Sequence, residues 1–254
     1  MSLRIDLNAD CGESFGRWSL GDDAALLPLV SSANLACGFH AGDPDILRAS
    51  VSLCRRHAVA IGAQPSLPDR QGFGRRDMRV TPDEVYAMVL YQVGAVAAFC
   101  RAATVPLRHV KPHGALYNMA ARDPDLADAI ACAMRDFDPA LMLYGLAGSA
   151  STRAGDAAGL HTVQEAFVDR RYRSDGSLVS RTEAGAVIHE PDDAIAQALS
   201  IVERGSVDSV DGVRVPLRAD TLCLHGDHPG AVAFAERLRA ALQTRGIAVA
   251  APAS

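Results

Sequence analysis

The feature that most restricts the fold of this chain is a unit that recurs along its whole length. A short apolar run ends in a polar, Gly-bearing segment, and helical periodicity usually follows. "RIDLNADCGES" (residues 4–14) is the first instance and "SSANLACGFHAGDP" (31–44) the second. "AVAIGAQPSLPD" follows the helix-like "DILRASVSLCRRH", whose apolar residues recur at helical spacing. "TPDEVYAMVLYQVGAVAAFCRAA" then opens with a Thr81 cap, Pro82 at the first helical position and Glu84 three residues after the cap. It leads into "LRHVKPHGALYN". "DPDLADAIACAMRDF", capped by Asp123, precedes "ALMLYGLAGS", and "HTVQEAFVDRRY" precedes the helix "PDDAIAQALSIVERG". The last unit is "DTLCLHGDHPGAVAFAERLRAALQTRG".

Strand-like and helix-like segments in alternation predict an α/β fold, with a parallel sheet and helices outside it. The length of 254 residues is that of a TIM-like (β/α) barrel, whose chemistry sits on the loops after the C-terminal strand ends. An open doubly wound sheet is the alternative. Its Gly-rich first turn is missing, because "NADCGESFG" is dominated by acids, so the barrel is preferred. No linker or break in composition interrupts the chain, and residues 1–254 read as one domain. "RRYRSDGSLVSRTEAGA" (170–186) is too polar for core and is expected as a loop or hairpin over the barrel mouth. "SVDSVDGVRVPLRAD" reads as a small two-stranded excursion around Asp211-Gly212.

Composition narrows the partners. A formal net charge of -5 argues against nucleic acid. Arg4 and Asp6 stand where a signal peptide needs an apolar block. "AMVLYQVGAVAAFCRAA" contains Gln92, is too short to span a membrane and reads as a buried helix face. The six cysteines are scattered without a C-x-x-C pair, as expected of free thiols in a reducing cytosol. The expectation is a cytoplasmic protein acting on a small molecule, with no nucleic acid and no membrane.

Among 25 Lys and Arg residues only Lys111 is a lysine. Where generic surface cations are written as Arg, a solitary Lys is expected at a site that needs a compact ammonium. The predicted strand ends carry Asn8, Asp10, Glu13, His40, Asp43, Lys111, His113, Glu165, Asp169, His225 and Asp227. Carboxylates, imidazoles and one amine at a common rim suit proton transfer or a metal-bound water. His57 at a helix end reads as a solvated cation, and His161 and His189 carry no functional context. His228, near the start of the last helix, is consistent with either role. Arg75, Arg76 and Arg79 are assigned to the solvated surface, whereas Arg170 and Arg181 are expected to fork onto a carboxylate or phosphate. Asp10, His40, His113, His225 and Asp227 are ligand types that suit Zn, Mn or a similar ion, with Asp10, His40 and His113 the candidates, although no H-x-x-x-H spacing supports one. Pro112 after the only Lys excludes a P-loop. Lys111→Met is expected to abolish turnover with the fold intact.

"DLNADCGESFG", "SANLACGFHAGDP", "GFGRR", "HVKPHGALYN", "EAFVDRRY" with "GSLVSR", and "LHGDHPGAV" together resemble the lactam-utilisation (LamB/YcsF) family, the A subunits of bacterial 5-oxoprolinase. The blocks run in order from Asp6 to about Val232. The resemblance implies a seven-stranded barrel related to glycoside hydrolase and deacetylase barrels. It also implies ATP-dependent opening of 5-oxo-L-proline to L-glutamate, with separate B and C subunits as partners and ATP as co-substrate of the complex. The family's motif positions fall on Asp10, Glu13, His40, Lys111, His113, Glu165, Asp169, Arg170, His225 and Asp227. Of these Asp10, Glu13, His40, Lys111 and His113 are the expected catalytic set. Glu165, Asp169, Arg170, His225 and Asp227, with Asn8 and Arg181, are the expected substrate contacts. One departure is Gln64-Pro65-Ser66-Leu67, where family members carry a His and a Tyr in place of Gln64 and Leu67. A metal-dependent deacetylase or amidohydrolase without ATP, and a component that only binds the lactam, are the alternatives.

Overall fold

The computed structural model describes residues 3–181, 183–224 and 230–253. Strand β1 (Arg4–Cys11) is followed by the short helix α1 (Asp23–Leu26) and by β2 (Ser32–Ala36), α2 (Pro44–His57) and β3 (Ala60–Gln64). The chain continues through α3 (Pro82–Ala102), β4 (Leu107–Val110), α4 (Gly114–Arg122), α5 (Pro124–Phe137), β5 (Met142–Leu146), α6 (Ala150–Ala157) and β6 (Thr162–Phe167). Helix α7 (Pro191–Arg204), the hairpin β7 (Ser206–Asp208) and β8 (Arg214–Pro216), β9 (Thr221–Leu224), α8 (Ala231–Thr244) and β10 (Ala248–Val249) complete it.

Strands β1 to β6 and β9 pair in parallel, and β9 returns to β1 through Asp6↔Thr221 to Ala9↔Leu224, which closes a seven-stranded barrel. β10 adds only to the start of β1, at Arg4↔Ala248 and Ile5↔Val249. β7 and β8 form the antiparallel excursion expected around Gly212, which has φ +73.

Local chemistry sets the helix starts. Asp43 and Asp123 each accept two backbone N–H bonds in front of a proline, and Thr81 and Glu84 form a reciprocal capping box. The stretch expected to be too short for a membrane lies in α3, which has 21 residues and is long and apolar enough to span by length and composition alone. Only one face of it is buried.

The apolar core lies between strands and helices rather than inside the barrel. Leu7, Ala9, Leu35, Ala63, Leu143 and Leu222 pack in one cluster with Val51, Val89, Ile130, Ala198 and Leu238 of the helices. Side chains alternate along a strand, so the residues between them face the lumen, and these are polar. Asp6 meets Tyr144 of β5, Asn8 meets Glu165 of β6, and Asn34 of β2 meets His109 of β4. None of these strand pairs are neighbours in the barrel, so each bond crosses its interior. TIM-barrel lumens are usually filled with branched apolar side chains. Here, among the described residues, Met142, Tyr144 and Val163 form a small apolar cluster of their own. Gly62 makes room for His109, because a Cβ there would stand 2.1 Å from the imidazole Nε2. Gly62→Ala is expected to destabilise the protein by roughly 1–3 kcal/mol, as overpacking does. Urea unfolding measures this, and an unchanged midpoint would mean that the ring has space the geometry denies it.

Candidate active site

The lumen network leads upward to the mouth. At its centre Lys111 follows β4, its N–H bonded to Ala63 O at 3.0 Å, and its side chain points inward. The ammonium Nζ lies 3.0 Å from Asp10 Oδ1, 3.0 Å from Glu165 Oε1, 3.2 Å from Asn8 Oδ1 and 3.0 Å from Cys223 Sγ. Burial alone would lower this amine, but Asp10, Cys223 and Glu165 outweigh it and hold Lys111 well above the usual lysine range. It is a fixed positive charge. Burial raises the Cys223 thiol well above its usual value, although Lys111 opposes this, so Cys223 stays a thiol.

Behind the lysine, Asn34 donates to Asn8 Oδ1 and Asp10 Oδ1, each at 2.8 Å, and its own Oδ1 accepts from His109 Nε2 at 2.8 Å. That acceptor fixes the proton of His109 on Nε2. Burial, with Lys111 adding to it, lowers His109 to about 3. The folded protein therefore refuses a proton that the unfolded chain accepts near 6.5. The part of the stability that His109 contributes should be full above that value and fall by roughly 3–5 kcal/mol as pH drops from about 6.5 to about 3. Melting curves across that range test it. His109→Gln should flatten the slope, and an equal slope in the variant would assign it elsewhere.

The second cluster joins three loops. Glu13 follows β1, His40 lies in the turn between Gly38 (φ +96) and Gly42 (φ +76), and His113 caps α4. A Cβ at Gly42 would stand 3.0 Å from the carbonyls of Ala36 and Gly12, so only glycine lets this turn pass. Glu13 Oε1 is 3.7 Å from His40 Nε2 and 3.8 Å from His113 Nε2, and the two imidazoles stack with centroids 4.0 Å apart. Phe73 meets both rings edge-on. Burial lowers His40 to about 4, and burial together with His40 lowers His113 well below its usual value, so both rings are neutral at pH 7. Gln64, fully buried at the end of β3, faces His40.

Neutral imidazoles and a carboxylate, with donor atoms within 4.8 Å of one another, fit a divalent metal of the Zn or Mn kind. Both His40 nitrogens lack a hydrogen-bond partner, and His113 turns Nδ1 toward Ser66 Oγ at 3.5 Å, which leaves its Nε2 facing Glu13. Among the described residues, the three donors within reach of one another are Glu13, His40 and His113, whereas the expected Asp10 spends its Oδ1 on Lys111 and Asn34.

Beside both clusters lies a cavity of about 380 Å³ whose walls include Lys111, His113, Tyr117, Arg75, Arg170 and Arg181. Arg170 is 4% exposed, donates to Val179 O at 2.5 Å and is pulled down to about 10 by burial and by the neighbouring Arg181. Guanidinium groups that repel one another across a small cavity suit an anionic ligand. The segment carrying them folds as the expected hairpin over the mouth, with bridges Arg170↔Val187 and Tyr172↔Leu178.

Asn8, Asp10, Glu13, His40, Lys111, His113 and Glu165 thus converge as expected, and Arg170 and Arg181 line the cavity. Asp169 stands beside Arg170, raising its pKa, but is not among the residues that line the cavity. Asp43 is a helix cap that also takes the Gly16 N–H, so its role is structural. Arg75 is exposed, as expected, and also lines the cavity, while Arg76 pairs with Asp69. His225, Asp227 and His228 lie outside the described residues. Asn34, His109, Tyr117 and Cys223 were not expected at the site. The signal that could have found Asn34 is the alternation of polar and apolar residues at the start of its strand; Leu107-Arg108-His109-Val110 has no such alternation.

The sequence model of the LamB/YcsF family matches residues 5–254. The A subunit of 5-oxoprolinase from Methylococcus capsulatus is 59% identical over 251 residues, 99% of this chain and 96% of that protein. Its counterpart from Symbiobacterium thermophilum, also a 5-oxoprolinase A subunit, is 55% identical over 98% of this chain and 95% of that protein. The crystal structure of a lactam utilization protein from Thermus thermophilus superposes with a TM-score of 0.93 at 49% identity, covering 98% of this chain and 100% of that one.

Proposed function

The chain belongs to the LamB/YcsF family, and we propose that it is the A subunit of an ATP-dependent 5-oxoprolinase, opening the lactam of 5-oxo-L-proline to L-glutamate with B and C subunits. The observation that carries this reading is Lys111, held 3.0 Å from both Asp10 and Glu165 at a cavity that also bears the arginines and His113, one member of the Glu13–His40–His113 cluster. The site offers groups suited to binding and opening the lactam. Arg170 and Arg181 suit the carboxylate of the substrate. Lys111, permanently charged, stabilises negative charge that develops on the lactam carbonyl or on a phosphoryl oxygen attached to it. Asp10 orients the lysine, and Glu13 beside two neutral imidazoles accepts a proton from the attacking water.

A five-membered lactam is a resonance-stabilised amide whose ring form competes well with glutamate. ATP, consumed in the complex, supplies the driving force: phosphorylation of the lactam oxygen, with release of ADP, makes the carbonyl carbon a stronger electrophile. Water adds to it, the C–N bond breaks as the nitrogen takes a proton, and the resulting acyl phosphate is hydrolysed to the carboxylate and phosphate. A divalent metal, when bound by Glu13, His40 and His113, would supply Lewis acidity to that site.

The same three donors favour a second reading, a metal-dependent amidohydrolase that needs no ATP. Glutamate release from 5-oxo-L-proline, followed with and without ATP and with and without the B and C subunits, separates them. Release that requires ATP and the partners supports the first reading. Release by this chain alone, abolished by a chelator, supports the second, and no release under any condition rejects both.

A further inference from the structure

Helix α3 carries no charged residue between Glu84 and Arg101. Its inner face, Val85, Val89, Gln92, Val93, Val96 and Cys100, is buried against the barrel. Yet only 33% of its most apolar window, of mean hydropathy 1.4, is buried. Ala87, Tyr91, Gly94, Ala95 and Ala98 recur at helical spacing and form one stripe on the outer face. Tyr91 is 68% exposed, and a Cβ on Gly94 would meet nothing within 4 Å. The apolar surface continues beyond the helix, because Tyr91 packs 5.6 Å from Phe39, and both line a groove of about 280 Å³ with Phe15.

We propose that this face of α3 is the interface of a two-fold homodimer, in which it packs antiparallel against α3 of a second copy. Charge and shape both select that occupant. The first turn holds Asp83 and Glu84 and the last turn Arg101. A two-fold axis at the helix midpoint, between Gln92 and Val93, sets Glu84 opposite the second copy's Arg101. The same axis sets Ala87 opposite Ala98 and the Tyr91 ring opposite the space at Gly94. Small residues in the stripe let the helix axes approach to the 8–10 Å of ordinary helix packing, and the pairing is self-complementary, as a two-fold interface requires. Parallel packing would set the acidic turns against each other.

Sedimentation of the full-length chain at roughly micromolar to 100 µM concentration tests this. The expected particle has the mass of two chains. Ala98→Glu and Gly94→Glu should each weaken association by about 100-fold or more, since each buries an unpaired carboxylate. Both positions face outward, so circular dichroism should match the wild type, and melting should match it at dilutions where the wild type is a single chain. Ala87→Cys/Ala98→Cys should cross-link two chains on oxidation. A single-chain mass throughout the range overturns the proposal, as does a dimer that survives both glutamates. So does a chain that is monomeric alone and uses this face only for a different protein or a lipid vesicle.

Discussion

Lys111→Met is expected to lower turnover by about 10³-fold or more and to destabilise the protein by roughly 3–5 kcal/mol. The stability loss departs from what the sequence implies. Lys111 is 2% exposed and stands between the buried Asp10 and Glu165, so removing the ammonium leaves two carboxylates without their shared counter-charge. The two effects are separable. In Lys111→Met/Glu165→Gln one of the orphaned charges is gone, so part of the stability should return, while turnover stays lost because no cation faces the developing oxyanion. Urea unfolding and glutamate release read the two independently. Full turnover in Lys111→Met would remove the residue from the mechanism. A single variant as stable as the wild type would mean that the carboxylates carry no net charge beside it.

His40→Ala and His113→Ala form the second prediction. Each removes one donor of a three-donor cluster, and each should abolish tight binding of a divalent metal and reduce turnover by about 10³-fold or more. Metal content after dialysis, and the visible spectrum of the Co²⁺-loaded protein, report on the cluster without requiring turnover. The wild type should hold about one ion per chain. Wild-type protein that takes up no Zn²⁺, Mn²⁺ or Co²⁺ would leave the two imidazoles as a stacked, neutral pair serving Glu13 alone. Asp10→Asn should retain the ion, since Asp10 is engaged by Lys111 and Asn34.

Much of this was legible in the sequence because barrels repeat their grammar. Caps such as Thr81 with Glu84, and prolines after Asp43 and Asp123, mark helix starts locally, and a local signal survives without tertiary information. The convergence of Asp10, His40, Lys111 and Glu165 follows from their place at strand ends once the strands close. The polar lumen was harder to read. "RIDLNADC" alternates strictly, but an alternating strand ordinarily turns its polar side to solvent. Only closure of the barrel puts Asp6, Asn8 and Asp10 inside, where they find Tyr144, Glu165 and Lys111 on distant strands. Arg75 and Arg76 are adjacent, chemically identical and both exposed, and nothing in the local pattern says that Arg76 pairs with Asp69 while Arg75 lines the cavity. That Glu13 rather than Asp10 stands within reach of both imidazoles was equally hidden, since it depends on which carboxylate the lysine occupies.

A double-mutant cycle on ATP-dependent glutamate release, with Asp10→Asn and His113→Gln in the reconstituted complex, puts the shared pocket to its most direct test. If carboxylate, amine and imidazoles act as one unit, each change should cost about 100-fold and the pair little more than the worse single variant. Losses that multiply to about 10⁴-fold would mean that the two residues work independently, and the single site described here would be wrong.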